Sequence, residues 1–217
     1  MKSGESFQLS AAWWKKGKPL TLKPTGLGAA LTTYSAAKAA FNAQKRNNPK
    51  FEAALSALEA VNTARLKAIA LCGNDHPDTK AALQRANVIA IEMGSLKTAK
   101  KQTYVAFVRQ LKTRVADLKM HSQKIKAQVD KYVAEEDQYD DKTRVDMQKK
   151  INLNLNDYIP NAIQGGATAI DQLKNDLGMI RKHFPEMAKE IEENRAEFDQ
   201  QRTNIERARS AAQKAFA

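Results

Sequence analysis

The chain has 217 residues and a formal net charge of +12; 42% of its residues are hydrophobic, and only nine are Gly. No apolar run reaches the roughly 20 residues of a membrane-spanning helix, and the single Cys72 excludes an internal disulfide. Because the first ten residues lack the charged-then-apolar plan of a signal peptide, we expect a cytoplasmic location, with secretion that needs no cleaved signal left open.

The positive charge is unevenly distributed along the chain. Residues 1–73 carry 11 Lys and Arg against 3 Asp and Glu, and residues 74–131 carry 12 against 5. Residues 132–217 reverse the balance, with 13 against 16. This asymmetry predicts either an anionic partner or a match of charges between helices of the same chain, although basic residues also serve solubility alone.

Residues 1–26 are predicted to be an irregular segment with one short helix. This helix carries Trp13, Trp14, Lys15 and Lys16. Two interpretations are open. The aromatic and cationic side chains can contact a membrane surface or a nucleic acid, or the two Trp rings can close one end of a helical bundle.

Residues 27–77 are predicted to form a helical hairpin. Apolar residues recur at helical spacing over 27–47 and 50–71, and an Asn-Asn-Pro turn separates the two segments. The segments have similar lengths, which favours two antiparallel helices.

The loop after the hairpin contains His76, Pro77 and Asp78. A His-Pro-Asp tripeptide between two helices resembles the loop of J-domain cochaperones. The resemblance covers only this setting, because the family's tyrosine-leucine-glycine start and the aromatic residues after the loop are missing. Pro-Asp is also a common helix start with Asp78 as the cap, so we assign the chain to no family.

Residues 78–217 are predicted to form a bundle of long helices. The first extends over 78–136, with a bend near Gly94 and Ser95. Its second half carries a heptad ladder, in which apolar positions alternate at four and three residues: Tyr104, Val108, Leu111, Val115, Leu118, Ser122, Ile125, Val129 and Tyr132. This spacing indicates helices packed side by side.

The middle of this region is ambiguous. A helix is predicted up to Tyr158, although the alternation over 151–155 also has the period of a strand. Pro160, Gly165 and Gly166 are expected to break the chain.

Two final helices are predicted over 163–184 and 186–215, with a kink or a short interruption at Pro185. A second heptad ladder runs through both: Ile163, Gly166, Ile170, Leu173, Leu177, Ile180, Phe184, Met187, Ile191, Asn194, Phe198, Gln201, Ile205, Ala208 and Ala212. The polar members Asn194 and Gln201 either fix the register from buried positions or mark an exposed end of the helix.

The charges beside the first ladder predict its partner. In a parallel homodimer, Lys112, Lys119 and Lys126 would face like charges. Glu190 and Glu197 flank the second ladder and offer the opposite charge. We therefore expect the two ladders to pair within one chain. The predicted fold is an all-α, elongated antiparallel bundle with coiled-coil-like helices and a small N-terminal hairpin.

No set of residues predicts catalysis or a bound metal. His76, His121 and His183 have no His, Cys or carboxylate at recognised ligand spacing. Cys72 ends an apolar helix face, where a packed thiol is usual. We expect no enzyme activity, no cofactor and no small-molecule substrate.

The sequence therefore predicts a helical scaffold that acts through contacts with a protein partner or with itself. The expected packing positions are Val108, Leu111, Val115, Leu118, Ile125, Ile191, Phe198 and Ile205.

The alternative is a basic helical protein that binds an anionic membrane or a nucleic acid. A helical pore-forming or secreted effector is a special case, with 151–170 as its candidate inserting segment. The expected contacts of the anionic partner are Trp13, Trp14, Lys15, Lys16, Lys112, Lys119 and Lys126.

Overall fold

A computed structural model of the chain describes residues 25–216, so the predicted contacts Trp13, Trp14, Lys15 and Lys16 lie outside the described residues. The described part is almost wholly helical and contains no strand, which confirms the all-α class. The helices are α1 (Leu27–Ala43), α2 (Asn48–Leu71), α3 (Pro77–Gln84), α4 (Ala86–Glu135), α5 (Asp141–Leu153), α6 (Ile159–Lys174), α7 (Leu177–His183) and α8 (Pro185–Ala215). Within the described range, none of these helices combines the length and the apolar character needed to cross a membrane.

The chain divides into two compact units. Unit one ends at Thr103 and unit two begins at Tyr104, so the boundary lies within the 50-residue helix α4. The domain boundaries predicted from the sequence, at residues 26 and 77, stay a prediction.

Unit one is built on the pair α1 and α2, which pack against each other. Phe41 and Phe51 are fully buried on either side of the connecting turn, with ring centroids 5.6 Å apart. The side chain of Asn47 caps α2 by accepting a hydrogen bond from the backbone N–H of Lys50 at 3.0 Å. Helix α1 therefore ends at Ala43, four residues before the predicted end, and leaves room for this cap.

A buried lysine joins α4 to this turn. Lys100 is 0% exposed, and its Nζ donates to the backbone carbonyls of Lys45 at 3.1 Å and Arg46 at 2.7 Å. The ammonium also lies 5.9 Å from the ring centroid of Phe51. A buried ammonium requires such acceptors, so Lys100 fixes α4 to the end of the α1–α2 hairpin.

The predicted helix over 78–136 is divided at Arg85, and it continues without interruption through Gly94. The cap is His76 and not Asp78 as predicted, because the His76 Nδ1 accepts the backbone N–H of Asp78 at 3.1 Å. The Asp78 carboxylate instead accepts the hydroxyl of Thr25 at 3.0 Å. The Thr79 hydroxyl donates to the Ala68 carbonyl at 3.0 Å and holds α3 on the end of α2.

In unit two, α5 and α6 run antiparallel to α4. The Gln148 Nε2 donates to the Tyr132 hydroxyl at 2.8 Å, and the Asn154 Nδ2 donates to the Gln128 Oε1 at 2.9 Å. Residue numbers rise along one helix as they fall along the other.

Helix α8 runs parallel to α4. Lys112 pairs with Glu190, and Lys119 pairs with Glu197 at 3.1 Å, so residue numbers rise together on the two helices. These are the pairs that the charge pattern predicted within one chain. Unit two is thus a bundle in which successive long segments are antiparallel and the outer two are parallel.

Burial follows the first ladder without exception. All nine positions from Tyr104 to Tyr132 are buried. The second ladder is interrupted, because the chain turns after Lys174 and again at Phe184, so the predicted helix over 163–184 is wrong. The expected short interruption before Pro185 is present, and Pro185 lies in the first turn of α8.

Pro160 does not break the chain as predicted, because a π turn at Asn154–Tyr158 precedes it. The Ile159 N–H donates to the Asn154 carbonyl, one residue further back than in an α-helix. The wider turn relieves the clash that a Pro ring makes with the preceding turn. It also frees the Leu155 carbonyl, which accepts the Arg209 Nη2 from α8 at 3.1 Å.

Gly166 likewise stays inside a helix, and it allows α6 to approach α8 closely. A Cβ atom built at Gly166 would lie 2.2 Å from the Cε2 of Phe198, which is shorter than any real contact. Phe198 is buried, so its ring has little space to move. The absence of a side chain at this position sets the spacing of the two helices.

We expect Gly166→Ala to lower the free energy of unfolding by about 1–3 kcal/mol, because the added methyl group must displace the Phe198 ring or the α6 backbone. Urea denaturation followed by circular dichroism measures this change. Gly178→Ala is the matched control in unit two, since a Cβ there meets nothing within 4 Å. It should leave stability unchanged or raise it; equal losses in both variants would contradict the packing explanation.

We expect Lys100→Met to destabilise unit one by about 2 kcal/mol or more, because the carbonyls of Lys45 and Arg46 lose a buried donor. The exposed neighbour Lys101 provides the control. Lys101→Met removes the same charge and should change the unfolding free energy by less than about 0.5 kcal/mol. Hydrogen exchange of amides in α1 and α2 reports the change locally.

Candidate functional site

A groove with an apolar floor lies on unit one. We call it the unit-one groove. Helices α1 and α4 form its walls and α2 its floor, and its volume is about 180 Å³. Its lining residues are Leu31, Tyr34, Ser35 and Lys38 from α1, Leu58 and Val61 from α2, and, on the other wall, Arg85 immediately before α4 with Val88, Ile89 and Glu92 from α4.

The two walls are alike in spacing. Each presents four residues at positions i, i+3, i+4 and i+7, which lie on one face of a helix. The groove therefore runs between two helices over about two turns of each. A cleft of this form matches the shape of a third helix better than that of a compact small molecule.

One end of the groove is closed by a bridge between its walls. The Glu92 carboxylate accepts hydrogen bonds from the Tyr34 hydroxyl at 2.6 Å and from the Lys38 Nζ at 2.5 Å. The hydrogen bond from Lys38 has the largest effect on the pKa of Glu92, and the one from Tyr34 the next largest. Both lower this pKa, so the carboxylate stays ionised. Burial and Glu92 raise the pKa of Tyr34, so its hydroxyl stays a donor.

The other end of the groove keeps an unpaired cation. Arg85 is half-buried, and its guanidinium forms no hydrogen bond or ion pair in the part of the chain that the structure describes. Beside it, Val88 is 45% exposed. An apolar contact and a free positive charge thus lie next to each other on the same wall.

The three lysines predicted to contact an anionic partner already have carboxylate neighbours. Lys112 and Lys119 pair with the α8 residues Glu190 and Glu197, and Lys126 bonds Asp130 on its own helix at 2.5 Å. Their role toward an external anion stays a prediction.

The polar members of the second ladder differ from each other. Gln201 is only 6% exposed, and its Nε2 donates to the Glu197 Oε1 at 2.8 Å, so the exposed interpretation is wrong for this residue. Hydrogen bonds from Gln201, which has the larger effect, and from Lys119 lower the pKa of Glu197. Asn194 is half-buried and donates to the Glu190 carbonyl of its own helix at 2.8 Å.

Metal-binding and nucleophilic side chains are considered next among the described residues. Within them, no three or more His, Cys, Asp or Glu side chains form a group that could hold a metal ion. Burial, which has the larger effect, and the negative charge of Asp78 raise the pKa of the half-buried Cys72. Its thiol therefore stays protonated and is a weak nucleophile. His76 acts as a helix cap.

Sequence reasoning missed the unit-one groove. The signal was present as the spacing of Arg85, Val88, Ile89 and Glu92, which differs in phase from the ladder that begins at Tyr104. That change of phase indicates that α4 serves a different surface before it enters unit two.

We expect Glu197, which bonds to Gln201 and Lys119, to make the free energy of unfolding depend on pH on the acidic side. Because the pKa of Glu197 is lower in the folded chain, its contribution is present above the unfolded pKa and is lost as the pH falls through the folded value. Glu197→Gln should lose less unfolding free energy than the wild type between about pH 6 and pH 3. Glu193→Gln, whose carboxylate is more exposed, is the control in urea denaturation.

Comparison of the chain with models of known protein families, with curated proteins and with solved structures finds no match. Function is therefore inferred from the geometry of the two units.

Proposed function

We propose that the protein is a non-enzymatic interaction module and that the unit-one groove binds an amphipathic helix of a protein partner. The observation that carries this proposal is the groove itself, with two helical walls and an apolar floor. Such grooves accept the apolar face of a third helix through side chains spaced three and four residues apart.

The chemistry of the groove defines the helix that it would accept. Leu31 and Val88 offer apolar contacts to one or two anchor side chains, above the buried side chains of Leu58, Val61 and Ile89. Arg85 calls for an acidic residue of the partner, one turn from an apolar anchor, because its guanidinium has no carboxylate neighbour among the described residues. A second copy of the chain is one protein that could supply such a helix.

The alternative of an anionic membrane or nucleic acid has less support. Lys112 and Lys119 are paired with carboxylates of α8, so their attraction for an external polyanion is reduced.

The test begins with random 16-residue peptides displayed against the full-length chain. We expect selected peptides to combine apolar anchors at i, i+3 or i+4 with a nearby Asp or Glu, and to bind with dissociation constants of about micromolar order. Val88→Lys should weaken binding at least about tenfold, since it places a charge on the groove wall. Fluorescence anisotropy measures the affinity.

Val145→Lys is the matched control, because Val145 is also 45% exposed but lies on α5, in unit two. It should bind the selected peptides as the wild type does. Circular dichroism confirms that both variants are folded. Equal binding by both variants, or a selection that yields no peptide sensitive to Val88, would refute the groove as the site.

A further inference from the structure

The seam between α4 and α8 repeats every seven residues. Because the two helices run parallel, Lys112 lies opposite Glu190, and the next heptad brings Lys119 opposite Glu197. We call these two ion pairs the first and second rungs. Each rung joins a lysine of α4 to a carboxylate of α8.

The third rung lacks its carboxylate. One heptad further along, α4 presents Lys126, while α8 presents Asn204 in place of a glutamate. Both residues line the same cleft, of about 320 Å³, as the heptad register requires. We call it the third-rung cleft. Its other lining residues are Val129 and Asp130 from α4 and Arg207, Ala208 and Ala211 from α8.

The charges of the third-rung cleft are unbalanced. Lys126 turns to Asp130 on its own helix, in a pair whose side chains are largely exposed. The guanidinium of Arg207 forms no hydrogen bond or ion pair with any described residue. Two cations therefore share one carboxylate, and Asn204 offers only a neutral amide between them.

We propose that the third-rung cleft binds a carboxylate side chain from an acidic segment of another protein, which completes the rung that Asn204 leaves open. The carboxylate lies between Lys126 and Arg207, in the place that Glu190 and Glu197 hold at the other rungs. Val129 and Ala208 contact the methylene groups of the incoming side chain. This site lies in unit two and does not depend on the groove of unit one.

The cleft favours a carboxylate over a phosphate chain for two reasons. The equivalent rungs are both filled by glutamate, so the spacing of the helices suits that side chain. Asp130 on the rim repels the closely spaced charges of a nucleic acid or a polyphosphate, whereas one carboxylate meets two cations.

The test uses the full-length chain and a fluorescein-labelled hexaglutamate peptide at an ionic strength of about 0.1 M, where the Debye length is about 10 Å. Anisotropy is the readout. Asn204→Glu fills the rung from within and should weaken binding by about tenfold. Gln213→Glu adds the same charge to α8 away from the cleft and should weaken it by less than about twofold. A second pair of variants removes a positive charge. Arg207→Gln should weaken binding several-fold more than Arg195→Gln, which removes the same charge from an exposed position on α8.

The variants at positions 207 and 195 keep the proposal testable if Asn204→Glu folds poorly. Equal losses within either matched pair would show diffuse attraction and overturn the proposal, as would absence of hexaglutamate binding to the wild type. A twelve-residue thymidine oligonucleotide is titrated in parallel. If Asn204→Glu weakens its binding more than that of hexaglutamate, the site takes phosphate and the proposed carboxylate ligand is wrong.

Discussion

The buried face of α4 is the constraint on which unit two depends. Nine consecutive heptad positions, from Tyr104 to Tyr132, are withdrawn from solvent, so two other segments must lie along this helix over its whole length in the unit. The α5–α6 segment runs back along it, and α8 runs parallel to it. The lysines beside the buried face then meet the glutamates of α8, and these exposed pairs select the register more than they stabilise it.

Regular features of the fold could be predicted because they repeat. The ladder through Val108 and Leu118 needs only local periodicity, and the complementarity of Lys112 and Glu190 follows from the charges beside two such ladders. Lys100 could not be found in this way, because a lysine in an apolar position looks like a surface residue. Its burial depends on carbonyls of Lys45 and Arg46, which are distant in sequence.

Residues that usually end helices misled the prediction where tertiary contacts override local preference. Pro160 and Gly166 both lie within helical segments, since one follows a wider turn and the other gives room to Phe198. The candidate sites likewise depend on tertiary structure and not on local sequence. Arg85 and Arg207 are ordinary charged residues in the sequence, and only the folded chain shows that neither has a carboxylate partner among the described residues.

The π turn also compensates for one extra residue in the α5–α6 segment. Buried positions on its inner face fall at Ile151, Ile159, Gly166 and Leu173, and the first interval is eight residues where the others are seven. A uniform α-helix would carry that surplus residue forward and rotate everything after it by about 100°. The wider turn absorbs the surplus locally, so Gly166 still meets Phe198. Loss of one residue within the turn would keep the inner face in place, but it would also set the ring of Pro160 against an ordinary helical turn. The surplus residue and Pro160 therefore depend on each other.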